Sequence, residues 1–221
     1  MIDIKYKVKE VKPNIFAVII KDSYDRAMTF CRVQEYYESP NKKFRGKEFN
    51  IWEYMKWYSK AYGKGFSYTK DWSGFNLPYG VARKCLEEVT SDSPYDDHMW
   101  YILNRVENLM TNLKAKAYII GTGDDTGTTF DHELCHGFWY TNKTYKRKAE
   151  ALVKALPKKH YNKIKKELLS MGYTNKVIDD EVQAYMSTGL YTSFASPEIE
   201  KCRQPFIDNF NEFKNYGNNN K

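Results

Sequence analysis

The chain has only four cysteines, Cys31, Cys85, Cys135 and Cys202, and no two of them form a Cys-x-x-Cys pair. Such scattered positions supply neither the framework of a disulfide-stapled secreted fold nor a zinc ribbon. The expectation is a reduced, intracellular (cytoplasmic) protein, with Cys135 serving as a small buried hydrophobe. Long apolar runs are missing too. The early run Ile15–Ile20 is too short for a signal-peptide core and has no small-residue cleavage site. Nothing approaches the roughly 20 apolar residues that span a bilayer, so no membrane span is expected. Histidine is scarce, with four in the whole chain: His98, His132, His136 and His160.

What is abundant is aromatic and basic. With 42% hydrophobic and 16% aromatic residues, 19 of them tyrosine, the chain has more core-forming material than a disordered segment carries. Its 221 residues suit one large domain or two small ones. Alternation over Ile2, Ile4, Tyr6 and Val8 predicts a strand, and Ile15–Ile20, beyond Pro13-Asn14, predicts its antiparallel partner. Ser23 is placed to cap a helix that runs toward Tyr37 and stops before Pro40. Asn50-Ile51-Trp52-Glu53 reads as a capping box opening a helix that closes at Gly63. Residues 71–78 read as a loop and 79–89 as a short helix, with 90–93 a polar linker where a domain boundary would fall.

Ser93-Pro94 then opens the clearest core helix, with Met99, Ile102, Leu103, Val106, Leu109, Met110 and Leu113 at helical spacing. His98 lies beside that stripe and reads as a surface or capping residue. Ala117–Ile120 predicts a short strand. Helices are expected over 144–156 and 157–171, then a helix capped by Thr174 that ends near Gly189. A last helix follows Ser196-Pro197, interrupted at Pro205, and a mobile tail spans 217–221. The two domain regions on this reading are 1–89, an α/β region without an assigned role, and 94–221, or else the chain is one continuous domain.

The chemistry concentrates at Phe130-Asp131-His132-Glu133-Leu134-Cys135-His136-Gly137. Two histidines four apart on a helix lie about 40° apart on one face, one turn along, so both imidazoles can reach one metal ion. Glu133 is turned about 100° from His132, off the ligand face, where a general base would take a proton from a zinc-bound water. The bland alternative is two surface histidines on an ordinary helix. For a third ligand, Glu181 has Val177, Ile178, Ala184 and Tyr185 at i−4, i−3, i+3 and i+4, so it points into an apolar stripe. A carboxylate there is costly unless a metal or another cation compensates it. Asp179 and Asp180 have polar neighbours and are expected on the polar side. The competing reading makes Glu181 a helix-start acid paired with a lysine.

His132-Glu133-x-x-His136 followed by Glu181-Val182-Gln183-Ala184 resembles the zincin metallopeptidases, in particular their gluzincin branch, in which the third ligand is a glutamate on a later helix. Asn142 stands where a metzincin would need a histidine, and Leu156-Pro157-Lys158 replaces the Asn-Glu of thermolysin-like enzymes. The interval to Glu181 looks like that of lethal-factor-type peptidases, where a tyrosine just before the glutamate helix assists catalysis. Tyr173 falls close to that position, and Tyr185 shares the helix face of Glu181. The resemblance covers residues 118–191. It implies an α+β, mostly helical zincin-like domain with a small N-terminal sheet and an edge strand before the active-site helix. That edge would be open to an extended polypeptide substrate. The implied site is Zn2+ held by His132, His136 and Glu181, with Glu133 as base and Tyr173 or Tyr185 as hydrogen-bond donor.

Charge offers a second reading. Residues 143–166 carry ten Lys or Arg against one acid, Glu150, a local excess above the whole chain's +7. The plain account is a solvated helix face. The sharper one is an acidic partner or nucleic acid, in a non-enzymatic protein whose metal is structural or absent.

Overall fold

The computed structural model describes residues 3–63 and 65–216. Ile2, expected in the first strand, and the tail over 217–221 lie outside the described residues. The chain divides into two compact units, Met1–Phe130 and Asp131–Lys221.

The first unit is built on four strands, β1 (Lys7–Lys12), β2 (Ile15–Ile19), β3 (Phe75–Pro78) and β4 (Tyr118–Thr122), in the order β1-β2-β4-β3. β1 and β2 pair antiparallel across the Pro13-Asn14 turn, with Asn14 at φ 62°. β2 and β4 run parallel in register from Ile15↔Tyr118 to Ile19↔Thr122, and β3 pairs antiparallel with β4. The sequence of β2 and β4 explains their central place. Ile15, Phe16, Ala17 and Val18 are all buried, as is the whole of Tyr118–Thr122, the unbroken apolar signature of strands covered on both faces.

This corrects the expectation of an edge strand before the metal helix. β4 is hydrogen-bonded on both sides, so no substrate can add to it as a further strand. The partner that closes that edge, β3, lies in the stretch expected to be loop. Its four residues are too few to show a period, and its Pro78 suits only the end of an outer strand.

Helices cover the sheet. α1 (Ser23–Glu38) is buried from Arg26 to Tyr36, and its cap is Asp22, which accepts from the Asp25 amide, in place of the expected Ser23. α2 (Ile51–Tyr62) starts at Asn50, which accepts from the Trp52 and Glu53 amides, and stops at Gly63 with φ 69°. After α3 (Tyr68–Asp71) and α4 (Tyr79–Glu88) comes α5 (Pro94–Leu109), capped by Ser93. α5 packs on α1, α4 and β1, so residues 90–93 are an irregular connection inside one unit and the division falls instead at 130/131. Buried Arg32 of α1 ties these helices together, with Nε 2.8 Å from Asp96 Oδ1 and further bonds to Asp92 and the Phe49 carbonyl. His98 is buried on α5, edge-on to the Tyr6 ring, which corrects its reading as a surface residue. Burial lowers its pKa.

The second unit is all helical among the described residues. It holds most of α6 (Thr128–Thr141), then α7 (Lys143–Ala155), α8 (Lys158–Ser170), α9 (Ile178–Thr188), α10 (Pro197–Glu200) and α11 (Gln204–Asn215). α9 is the hub, packed by α7, α8 and α11 around Val153, Ile164, Leu168, Val182, Met186 and Phe206. Its start differs from expectation. Residues 174–177 form a turn closed by the Val177 amide on the Thr174 carbonyl, so the helix begins at Ile178 without a side-chain cap.

Candidate metal centre

Helical spacing brings His132 and His136 to one side of α6, with ring centroids 5.0 Å apart. Glu181, in the first turn of α9, meets them. His132 Nε2 is 3.6 Å from Glu181 Oε2, and His136 Nε2 is 3.5 Å from Glu181 Oε1. Those separations are long for hydrogen bonds. They are near the edge of roughly 3.3–3.4 Å between ligands of a tetrahedral ion bound at about 2.05 Å. One ligand atom from each of the three side chains lies within 4.8 Å of the others. Asp179, by contrast, is exposed and accepts from the Tyr161 hydroxyl.

The donors fit a cation on independent grounds. His136 Nε2 and Glu181 Oε2 are both buried without a hydrogen-bond partner, a cost that a shared ion would remove. Burial disfavours the charged form of His136, yet Asp180, Glu181 and Glu133 together overcome it and raise its pKa well above the usual histidine range. Burial likewise opposes ionisation of Glu181, but His136 and His132 outweigh it and lower the pKa. Three carboxyl groups around two imidazoles thus make a site that requires positive charge, as a proton on His136 or as a metal.

The other nitrogen of each ring is held from α9. Asp180 Oδ1 lies 2.9 Å from His136 Nδ1, and the Thr188 hydroxyl lies 3.4 Å from His132 Nδ1. Each ring is therefore turned so that Nε2 faces Glu181. Neither role was anticipated. Asp180 is expected on the polar side because Lys176 and Gln183 are its helical neighbours, but Gln183 is completely buried and belongs to an internal network. The available signal was that a buried histidine ligand needs an acceptor for its second nitrogen.

Glu133, the expected base, is buried, and its carboxylate acts electrostatically on both His136 and Tyr185. The Tyr185 ring packs against His132 at 4.5 Å between centroids. Burial first, then the charges of Glu181 and Glu133, push its hydroxyl pKa up, while a hydrogen bond from Tyr173 opposes them. The two candidate tyrosines therefore form a pair, with the Tyr185 ring against His132 and both side chains packed on the core around α9. The Cys135 thiol is fully buried, and burial raises its pKa, as expected of an inert core residue. No family model, curated protein or solved structure matches the chain, so the reading of this centre rests on its geometry.

Proposed function

We propose that the protein is a zinc-dependent metallopeptidase. The observation that carries the proposal is the meeting of His132 Nε2, His136 Nε2 and the Glu181 carboxylate beside a buried Glu133, with two of the converging atoms otherwise lacking partners. A bound zinc supplies Lewis acidity toward a carbonyl and makes water a usable nucleophile near neutral pH. Glu133 takes the proton from the attacking water and delivers it to the leaving amine, which a carboxylate beside the ligands and not among them can do. Tyr185 keeps its proton and, with Tyr173 donating to its oxygen, has that proton free for the oxyanion. A site that only stabilised the fold would have no use for Glu133.

The test is Glu133→Gln. It should keep its metal and its melting temperature while cleavage of a mixed peptide library falls by about 10²–10⁴-fold. Equal cleavage by both proteins would remove Glu133 as the base. The metal is measured alongside, since two histidines and a carboxylate also suit ferrous iron, and iron in the purified protein would argue for different chemistry.

A second reading is favoured by the basic helices. Arg147, Lys154, Lys158, Lys159, Lys163 and Lys166 are all exposed on α7 and α8. In this reading the unit binds an acidic partner such as nucleic acid. Affinity for a mixed-sequence duplex should then fall steeply with salt, and Lys158, Lys159, Lys163 and Lys166 changed to Glu should flatten the slope. No binding at low salt leaves a solvated face.

A further inference from the structure

Behind His136 runs a chain of buried polar groups. The Tyr145 hydroxyl on α7 donates to Gln183 Oε1 at 2.7 Å, Gln183 Nε2 donates to Asp180 Oδ1 at 2.9 Å, and that same Oδ1 faces His136 Nδ1 at 2.9 Å. Tyr145 and Gln183 are both fully buried, and the Asp180 side chain is 19% exposed. Each direction in this chain is fixed by chemistry. Asp180 Oδ1 lies 2.9 Å from two nitrogens and accepts from them, so Gln183 must turn its amide nitrogen toward it. The Gln183 oxygen is then left to accept, and its neighbour must be a donor. Tyr145 meets that need, since burial above all keeps its hydroxyl protonated. At the other end, Asp180 requires a proton on His136 Nδ1, which leaves the Nε2 lone pair for the metal.

We infer that Asp180, Gln183 and Tyr145 act as a relay of positioning residues that sets the tautomer and ring orientation of His136, and so governs how tightly the centre holds its metal. The inference rests on the metal-site reading above, but not on peptide hydrolysis. His132 lacks such support, because among the described residues its Nδ1 meets only the neutral Thr188 hydroxyl, which itself donates to the Ala184 carbonyl at 2.8 Å. The two histidines are thus unequal ligands, with His136 the anchor. The relay also passes the influence of α7, which supplies no ligand, into the first turn of α9.

Zinc affinity of the full chain, measured by competition with a chromophoric chelator, tests this without a cleavage assay. Asp180→Asn keeps the shape but removes the charge, and affinity should fall about 10–100-fold. Tyr145→Phe, which loses one hydroxyl inside an intact ring, should cost about 2–10-fold, the worth of one neutral hydrogen bond. The double variant Asp180→Asn/Tyr145→Phe discriminates positioning from simple packing. If Tyr145 acts through Asp180, the double variant should bind zinc no worse than Asp180→Asn alone. Melting of the metal-free variants separates a loss of affinity from a loss of fold.

Wild-type affinity in a folded Asp180→Asn overturns the inference, as does strict additivity in the double variant. Failure of the wild-type chain to bind zinc at all would overturn the metal-site reading together with it. Tight zinc binding without peptide cleavage would count against the hydrolase alone.

Discussion

Glu35, far from the ligands in sequence, is a residue whose environment makes a measurable claim. It is buried on α1, and burial raises its carboxyl pKa from its ordinary 4.5 to about 7, against hydrogen bonds from Ser39, Tyr54 and Tyr68. The folded chain therefore holds a proton between those two values that the unfolded chain has released. Its contribution to stability is fully present below pH 4.5 and is lost as pH rises through about 7. On this account wild type loses about 3 kcal/mol between pH 4.5 and pH 8 through this group. Glu35→Gln, which imitates the neutral acid, should flatten that part of the profile. The check is the urea midpoint of both proteins at pH 5 and pH 8, and parallel profiles would show that Glu35 is not the group responsible. At this scale the candidate centre was largely legible. His132, Glu133 and His136 were readable because four residues of helix place them without tertiary information, and Glu181 because its helical neighbours are apolar. Asp180 and Thr188 were not, because their partners lie on another helix and only the packing of α6 on α9 assigns them.

Elements were legible where periodicity was long and hidden where it was short. α2 and α5 begin at the caps their sequences announce, Asn50 and Ser93. The four residues of β3 carried no such signal, and without β3 the place of β4 inside the sheet could not be read. That inner position has its own consequence at Gly121. A Cβ there would lie 2.4 Å from Cζ and 2.5 Å from Cε2 of Phe30. Phe30 cannot swing aside freely, since its ring is fully buried and stacks on Phe75 of β3 with centroids 5.3 Å apart. Glycine is needed here for the close approach of α1 to the sheet. Gly121→Ala should therefore destabilise by at least the 1–3 kcal/mol typical of overpacking. Adding Phe30→Leu should recover part of that loss, because a smaller side chain vacates the contact. Unchanged denaturant midpoints for Gly121→Ala would mean that the helix and sheet separate more easily than this packing implies.

For the molecule as a whole, the division at 130/131 assigns the proposed chemistry to one unit. His132, His136 and Glu181, together with Asp180, Gln183, Tyr145, Tyr173 and Tyr185, all fall after that point, and the Glu35, Arg32 and Gly121 environments all fall before it. A metal joining two histidines of α6 to a carboxylate of α9 closes a loop of chain, and it binds only the state in which those helices are packed. Zinc at about 100 times its dissociation constant should then stabilise the protein by about 2.7 kcal/mol. For a chain of this size that corresponds to a rise of roughly 5–11 °C in melting temperature. Because each unit has its own core, a single melting temperature hides where the gain falls. Amide hydrogen exchange resolves it: zinc should slow exchange most in α6 and α9, which supply the ligands. Excess chelator should reverse both effects, and Glu181→Ala should abolish them, since two histidines alone do not join the helices. A zinc-dependent rise that persists in Glu181→Ala would mean that the ion binds elsewhere, and the assignment of three ligands across two helices would fall.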